Sequence, residues 1–368
     1  MLPSYDLTII GGGPAGTSAA ITASRAGARV LLLERGRFPR HKVCGEFVSA
    51  ESLGLLGALL DSRHAALLHG AARITRTRIF LDGRTIATAI EPAAASIARF
   101  DLDAVLWDSA VRRGVDARHS VTVSGIAGGG PFHIATAAGD FESRAVIDAS
   151  GRWSNLSVAP GTNGKPRDKW LGVKAHFAED SPPASVDLYF FNGGYCGVQP
   201  VDLGDAEDKH GRVNACAMVR AEVASTLTGV FTQHPALAER SRSWKLLSEP
   251  VSTSPLFFRD PEPVRDGILL AGDAAGFVDP FVGDGISLAL RGGALAAASL
   301  GPFFRDEISL AAAAGHYRQA YERQLASVFH ASSKIRRALL WPRPLRRSIF
   351  FLLGNVPAVT SYLVRKTR

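Results

Sequence analysis

A glycine-rich segment near the start of the chain has the residue types and spacing needed to bind a phosphate. Gly11, Gly13 and Gly16 follow one apolar run, and Glu34 closes the next one. Glycines so spaced permit a tight turn, a close approach of the backbone to a pyrophosphate and close packing of a helix on a strand. A helix N-terminus attracts the phosphates, and a carboxylate at Glu34 can accept both hydroxyls of an adenosine ribose. The spacing therefore predicts a dinucleotide-binding turn.

The segments around this turn predict the elements that position it. Residues 7–10 are apolar and rich in β-branched side chains, so they predict a buried strand, and residues 29–33 predict a second one. Residues 17–26, between them, are rich in alanine and predict a helix. The order of strand, glycine turn, helix, strand and acid favours a real ligand site over a glycine-rich turn without one.

Two further apolar runs end in small or acidic residues. Residues 146–151 predict a strand that enters a turn at Gly151, and residues 267–271 predict a strand that ends at Gly272 and Asp273. Doubly wound sheets bind ligands at the carboxyl ends of their strands. A carboxylate at Asp273 could hold a ribityl hydroxyl of FAD, and it could also cap the helix that follows.

The loop over residues 276–285 leads into a long apolar helix. The N-terminus of that helix could stabilise negative charge on a reduced flavin. With the three strand ends, this loop predicts FAD rather than NAD as the cofactor.

The rest of the chain predicts an α/β fold in which a second, antiparallel sheet accompanies the cofactor domain. The remaining predicted elements are helices over 50–60, 101–113, 221–234 (closed by Pro235), 286–300 and 311–340, a hairpin of 73–80 with 85–89, and strands over 120–124, 133–136, 144–147, 172–177, 186–191 and 213–219. We expect a discontinuous FAD-binding domain (1–70, 97–165 and 252–325), a substrate domain (71–96 and 166–251) and a helical tail (326–368).

These motifs resemble the FAD-dependent oxidoreductase superfamily typified by para-hydroxybenzoate hydroxylase, geranylgeranyl reductase and the flavin-dependent halogenases. The resemblance covers roughly residues 5–51, 98–155 and 267–293. It implies a Rossmann-like FAD domain of the glutathione reductase type. The cofactor-binding residues that the motifs and the resemblance indicate are Gly11, Gly13, Pro14, Ala15, Gly16, Glu34, Arg35, Cys44, Gly45, Arg99, Gly151, Gly272, Asp273, Gly283, Gly285 and Ile286. Arg99 matches the arginine that contacts the phosphate–ribityl region in this superfamily, although a surface arginine at a helix start is the alternative.

Two residues are candidates for the chemistry itself. The run from Lys42 to Ser49 is most similar to the geranylgeranyl reductases, in which a Cys-Gly pair lies beside the flavin, so Cys44 could tune the flavin or donate a proton. A small buried residue is the alternative for Cys44. Tyr195 is the second candidate, since it opens a run that partly matches the substrate-sheet motif of halogenases and prenyl reductases. A packed sheet aromatic is its alternative.

Departures from the family patterns bear on the reaction. Ser150 stands where aromatic hydroxylases have aspartate, Gly197 stands where the substrate-sheet motif has tryptophan, and no lysine follows the Gly45-Glu46 turn at the halogenase spacing. The resemblance implies a reductase that transfers hydride from flavin N5 to a double bond of an isoprenoid or polyketide-like substrate, with NAD(P)H or another reductant as donor. The alternative is a monooxygenase that hydroxylates or epoxidises through a flavin hydroperoxide; a halogenase and a non-catalytic flavoprotein rank lower.

Charge and cysteine content exclude other classes. The net charge is +8, but nine basic residues and no acidic residue lie between 327 and 368, which leaves 8 − 9 = −1 for the rest, so no nucleic-acid groove is predicted. The apolar tail over 348–364 is flanked by arginines, and either membrane-surface contact or packing on the protein could account for it. Three widely separated cysteines predict no metal site and a cytoplasmic protein. The oligomeric state is not predicted.

Overall fold

The computed structural model describes residues 2–152, 156, 169–202, 210–254, 256, 260–339 and 341. The strands are β1 (Ser4–Ile10), β2 (Val30–Glu34), β3 (Phe47–Val48), β4 (Ala72–Leu81), β5 (Arg84–Ser96), β6 (Asp116–His119), β7 (Val123–Gly128), β8 (Phe132–Thr136), β9 (Phe141–Asp148), β10 (Trp170–Asp180), β11 (Ser185–Phe191), β12 (Gly194–Asp202), β13 (His210–Arg220), β14 (Lys245–Leu246), β15 (Val251–Thr253), β16 (Val264–Arg265) and β17 (Ile268–Leu270). The α-helices are α1 (Pro14–Arg25), α2 (Ala50–Leu59), α3 (Ala66–His69), α4 (Arg99–Arg112), α5 (Leu227–Phe231), α6 (Pro235–Arg240), α7 (Gly285–Phe304), α8 (Leu310–Gln324) and α9 (Ala326–Leu339).

The first sheet has the order β16-β17-β9-β1-β2-β6, and its central strands run parallel. Its register aligns the strand ends, because Ile10 pairs with both Leu33 and Asp148, and Asp148 pairs with Leu270. Parallel strands end at one edge, so the turns after β1, β2, β9 and β17 meet there. We call this sheet the cofactor sheet.

Helices α1 and α7 cover one face of the cofactor sheet. They approach each other closely, because a Cβ on Gly293 would lie 2.0 Å from the carbonyl oxygen of Ala15. By length and composition α7 could cross a membrane, but 56% of its most apolar window is buried within the fold. Its apolar character is therefore accounted for by the core that it forms with α1 and β1.

The second sheet has the order β14-β10-β13-β12-β11-β4-β5-β3, with β15 also paired to β10. Its strands pair antiparallel except β11 with β4. Side chains alternate across a sheet, so the apolar residues Val173, Ala175 and Phe177 pack toward α5 and α6 on one face. Lys174 and His176 point to the opposite face, which lies against the cofactor sheet's loops. We call this second sheet the substrate sheet.

The predicted α/β fold with two sheets is confirmed. Three element predictions were wrong in detail. The strand predicted over 120–124 begins only at Val123, as β7, and Ser120 lies between β6 and β7 with φ 59°. The helix over 221–234 is only the short α5, and Pro235 begins α6 rather than ending a helix, as proline favours the first turn. The helix over 311–340 is broken at Leu325 into α8 and α9. The apolar tail segment 348–364 lies outside the described residues, so its membrane contact stays a prediction.

Candidate functional site

The glycine-rich turn has the shape that its sequence predicts. Gly11 has φ 102°, and a Cβ there would lie 2.4 Å from the carbonyl oxygen of Ala149. A Cβ on Gly16 would lie 1.8 Å from the carbonyl oxygen of Gly11, so only glycine allows α1 to start so close to β1. By contrast, the nearest atom to a Cβ on Gly13 would be Nη2 of Arg99 at 3.8 Å. Gly13 therefore faces open space beside a guanidinium, as a phosphate site requires.

Pro14 and Ala15 complete the start of α1. Pro14 occupies the first turn of the helix, where its missing N–H leaves no hydrogen bond unmade, and Gly13 is the N-cap residue. Ala15 is buried against Gly272 and Gly293. These two residues shape the turn through the backbone.

Glu34 lies at the end of β2 with its carboxylate buried. It accepts hydrogen bonds from the N–H groups of Gly12 and Gly36, both at 2.8 Å, and from the Arg40 guanidinium at 2.9 Å. Burial opposes ionisation, but these donors prevail and hold the pKa of Glu34 below its usual value. Arg35, which the sequence indicates as a cofactor-binding residue, is exposed, and its contact with a cofactor stays a prediction. The cation that pairs with Glu34 is Arg40.

Arg99 is the first residue of α4 and points toward the glycine-rich turn. Its Nε and Nη2 each lie 2.7 Å from the carboxylate oxygens of buried Asp103, one helical turn later. Burial alone would lower the pKa of Arg99, but Asp103 raises it, so the guanidinium stays charged. The two-point pair fixes the guanidinium next to Gly13, and its contact with the phosphate–ribityl region of FAD stays a prediction.

A third cation, Lys42, lies near the same place. Burial lowers the pKa of Lys42 to about 8, and the neighbouring Arg40 and Arg99 add to this effect. Glu34 and Asp103, which pair with Arg40 and Arg99, partly oppose this shift. A further anion placed among the three cations would be attracted by all of them. The cluster of Lys42, Arg40 and Arg99 therefore fits the diphosphate of a dinucleotide.

The turns after β9 and β17 close the other side of the site. Asp148 Oδ1 accepts hydrogen bonds from the Ser150 N–H at 2.9 Å and the Ser150 hydroxyl at 2.5 Å, which shapes the turn before Gly151 (φ 86°). Gly272 has φ 63°, and Asp273 lies in a short 3-10 helix (Gly272–Ala274) that follows β17. Both turns lie at the edge where the strand ends align, so the predicted residues meet around one space.

The loop into α7 supplies the last predicted residues. Gly283 has φ 78° and packs on Phe47, Gly285 begins α7, and Ile286 is buried. Burial raises the pKa of Asp284 to about 6, opposed by the nearby hydroxyls of Ser49 and Ser287. The N–H groups at this helix start suit the negative charge of a reduced flavin.

Cys44 is half-buried in the segment before β3. Its carbonyl oxygen accepts a hydrogen bond from the Asn214 side chain at 2.9 Å, and its Sγ accepts one from the Glu46 N–H at 3.4 Å. Burial raises the pKa of the Cys44 thiol, and Arg99 only partly opposes the rise. The thiol is therefore neutral, and the adjoining Gly45 is exposed.

A cavity of about 1270 Å³ lies between the substrate sheet, the loop before α7 and α9. Its aromatic lining includes Trp170, Phe190, Tyr195 and Phe281, and arginines of α9 border it. Tyr195 donates a hydrogen bond to Asp279 Oδ1 at 3.3 Å, and both side chains are buried.

Burial favours the neutral form of both groups of this pair. Burial raises the pKa of Asp279 to about 7, opposed by the Phe281 N–H, Arg336 and Tyr195. Burial and the adjacent Asp279 raise the pKa of Tyr195 well above its usual value. Tyr195 therefore packs within the substrate sheet and also lines a cavity that the loop before α7 borders.

Sequence reasoning missed four residues that the fold brings to this site. Asp103 could have been found from its spacing of four after Arg99, which places both on one helix face. Asp279 lies within the predicted loop over 276–285, but the residues of that loop alone assign no role to its carboxylate. Lys174 and His176 carried no signal, because their partner is more than a hundred positions away.

The chain is similar to several known flavoproteins. Residues 6–152 match the family described as FAD dependent oxidoreductase. The chain is 26% identical to digeranylgeranylglycerophospholipid reductase 2 of Methanopyrus kandleri, over 90% of this chain and 85% of that protein. It is also 26% identical to flavin-dependent halogenase armH1 of Armillaria mellea, over 90% of this chain and 72% of that protein.

Solved structures show the same fold. A geranylgeranyl bacteriochlorophyll reductase-like protein of Thermoplasma acidophilum superposes with a TM-score of 0.77 at 19% identity, covering 100% of this chain and 96% of that one. Flavin-dependent brominase Bmp2 superposes with a TM-score of 0.78 at 20% identity, covering 99% and 93%. The glycine-rich turn, Glu34 and Arg99 all lie within residues 6–152, the part of the chain that matches the FAD dependent oxidoreductase family.

Proposed function

We propose that this protein reduces a carbon–carbon double bond of a hydrophobic, isoprenoid or polyketide-like substrate. The proposal depends mainly on the Tyr195–Asp279 pair at the cavity wall. A reduction of this kind needs a hydride on one carbon and a proton on the other. A carboxyl group that is still protonated near pH 7 can supply that proton, and the pKa of Asp279 is raised to about 7 by burial.

The residues of the chain then have distinct roles. The aromatic lining holds an apolar substrate and excludes water, and Asp279 holds the proton for transfer. The Tyr195 hydroxyl, 3.3 Å from Asp279 Oδ1, orients the carboxyl group. FAD, when bound and reduced by NAD(P)H or another two-electron donor, supplies the hydride. Cys44 is a second proton source, since its thiol is neutral.

A flavin-dependent halogenase is the second candidate. The likenesses to halogenase armH1 and to brominase Bmp2 favour it as much as the reductase likenesses favour the first. Two features weigh against it: no lysine is among the described residues that line the cavity, and Gly197 replaces the tryptophan of the substrate-sheet motif. A monooxygenase is the remaining alternative.

An anaerobic single-turnover experiment tests the proposal. The FAD-loaded protein is reduced with dithionite under argon, and isoprenoid lipids and unsaturated polyketide-like compounds are added one at a time. We expect one class to reoxidise the flavin without oxygen and to yield a product with two more hydrogen atoms by mass spectrometry. A product that gains chlorine or bromine, only when oxygen and halide are both present, would establish a halogenase instead. A product that gains oxygen would establish a monooxygenase.

The variant Asp279→Asn separates the acid from the cavity. It keeps the shape of the side chain but has no carboxyl proton, so we expect reoxidation to slow by about 100-fold or more. Asp260→Asn is the matched control, because the Asp260 side chain is exposed and lies outside the cavity lining. An Asp279→Asn enzyme that reacts at the normal rate would remove Asp279 from the mechanism.

A further inference from the structure

Glu46 is the centre of a buried charged network between the two sheets. Its carboxylate lies 2.7 Å from Lys174 Nζ and 2.7 Å from His176 Nε2, and it accepts the backbone N–H of Arg99 at 2.9 Å. The side chains of Glu46, Lys174 and His176 are 0%, 1% and 2% exposed. Lys174 and His176 belong to β10 of the substrate sheet, whereas Glu46 directly follows the Cys44-Gly45 pair.

The backbone at Glu46 is held in an unfavourable conformation. Its φ is 63°, in the left-handed region that a non-glycine residue adopts only when its surroundings impose it. The neighbouring contacts fix the same turn, since Asn214 bonds the Cys44 carbonyl and Ile97 donates its N–H to the Glu46 carbonyl at 2.9 Å. The turn therefore has one shape, and the carboxylate is its main side-chain attachment to the substrate sheet.

The charges of this network are balanced locally. Burial opposes ionisation of Glu46, but the hydrogen bond from His176 and the charge of Lys174 prevail and lower its pKa. Removing one member of such a buried pair leaves an uncompensated charge, whereas removing both together does not. This difference separates an electrostatic role from a packing role.

We propose that Lys174 and His176 are positioning residues for the flavin: through Glu46 they hold the Cys44-Gly45 turn against the cofactor and set the charge beside it. The inference rests on FAD being the cofactor, and it is independent of the substrate and of the reaction. Lys174 and His176 of the substrate sheet would then influence FAD affinity and the flavin midpoint potential through Glu46.

The test compares charge-unbalanced and charge-balanced variants. In Lys174→Met the Glu46 carboxylate loses its cation, so we expect FAD to bind at least tenfold more weakly. The reduced, anionic flavin should be disfavoured about tenfold relative to the oxidised form, a fall of ~30 mV in midpoint potential. In Glu46→Gln/Lys174→Met both charges are absent, and we expect the potential to return toward the wild-type value while FAD binding stays weakened. Affinity is measured by flavin fluorescence and potential by dye-coupled titration.

The matched control breaks a different ion pair of the same strand. Arg240 on α6 bonds Glu179 of β10 at 2.6 and 2.7 Å, on a helix remote from the cofactor turn. Arg240→Met should lower the thermal midpoint of the protein. Its FAD affinity should stay within twofold of wild type, and its flavin midpoint potential should equal the wild-type value within error. The control therefore reports the effect of destabilising the substrate sheet alone.

Two results would overturn the proposal. One is a Lys174→Met protein that loses thermal stability as Arg240→Met does, with unchanged FAD affinity and potential. The other, decisive if Lys174→Met does not fold, is a Glu46→Gln/Lys174→Met protein with wild-type FAD affinity. Neither result would affect the proposed reduction of a double bond, which the anaerobic turnover experiment tests separately.

Discussion

The Tyr195 hydroxyl lies 3.3 Å from Asp279 Oδ1, and this bond joins the substrate sheet to the loop that leads into α7. Tyr195 is on β12 and Asp279 is on the cofactor side, 84 positions later. The bond is buried, and it borders the large aromatic cavity. The loop that leads into α7 is thus in direct contact with the aromatic residue that the sequence predicts on the substrate side.

Asp279 should make the stability of the protein depend on pH in an unusual direction for a carboxylate. Its pKa is raised by burial from 3.8 to about 7. Below about pH 4 the folded and unfolded states both hold the proton, and Asp279 contributes nothing. Between about pH 4 and 7 only the unfolded state loses it, so stability falls by up to about 1.4 kcal/mol per pH unit. Above about pH 7 the loss is complete.

Asp279→Asn removes this titration, so we expect its thermal midpoint to rise relative to wild type as the pH increases from about 5 to about 8. Differential scanning calorimetry across that range measures the change. Asp284→Asn is the control: the pKa of Asp284 is raised by burial to about 6, so this variant should flatten only the lower part of the profile. Parallel profiles for Asp279→Asn and wild type would contradict the assignment.

Gly16→Ala should abolish FAD binding. The new Cβ would lie 1.8 Å from the Gly11 carbonyl oxygen, and backbone atoms at that distance must move apart, which deforms the phosphate turn. Gly54→Ala is the matched control, because Gly54 is exposed on α2 and a Cβ there has no atom within 4 Å. We expect the free energy of unfolding of the control to equal that of wild type or to exceed it by about 0.5–1 kcal/mol. The ratio of flavin absorbance to protein absorbance measures the bound FAD of both variants. A Gly16→Ala protein that retains FAD would contradict the role of this turn in binding the cofactor.

Arg99→Met should weaken FAD binding by about 10–100-fold, the equivalent of a charged hydrogen bond of about 1.5–3 kcal/mol. It also leaves Asp103 buried without its partner, which costs about 3–5 kcal/mol of stability. In Arg99→Met/Asp103→Asn the buried charge is gone, so we expect stability to recover while FAD binding does not. If affinity recovered together with stability in the double variant, Arg99 would serve the helix and not the cofactor.

Near pH 8, iodoacetamide should label Cys44 at a rate more than about tenfold lower than the rate for a free thiol. Burial raises the pKa of Cys44, and only the thiolate is nucleophilic. Mass spectrometry after digestion locates the label. Cys196 serves as an internal reference, because burial raises its pKa to about 12, and all three cysteines should react fast in urea. Rapid labelling of Cys44 in the folded protein would exclude a neutral thiol as proton donor.

The cofactor half was predictable because its signals are local. Gly11, Gly16 and Glu34 lie within one strand–turn–helix–strand unit, and the apolar runs that precede them fix where the strands end. Since parallel strands end at one edge, the sequence also brought Gly151 and Asp273 to the same place. The incorrect predictions were local as well: Pro235 begins a helix instead of ending one, and the break at Leu325 has no proline or glycine to mark it.

The sequence by itself determined the glycine-rich turn, the strand ends around it and the existence of a second sheet, because these follow from residue type and short-range spacing. Only the tertiary structure decided that Arg40 pairs with Glu34, that Asp279 adjoins Tyr195 and that Lys174 and His176 bond to Glu46. Alternation along β10 tells which side chains share a face, but not what lies opposite that face. That partner is fixed by how the two sheets pack, through contacts between residues 84 to 130 positions apart.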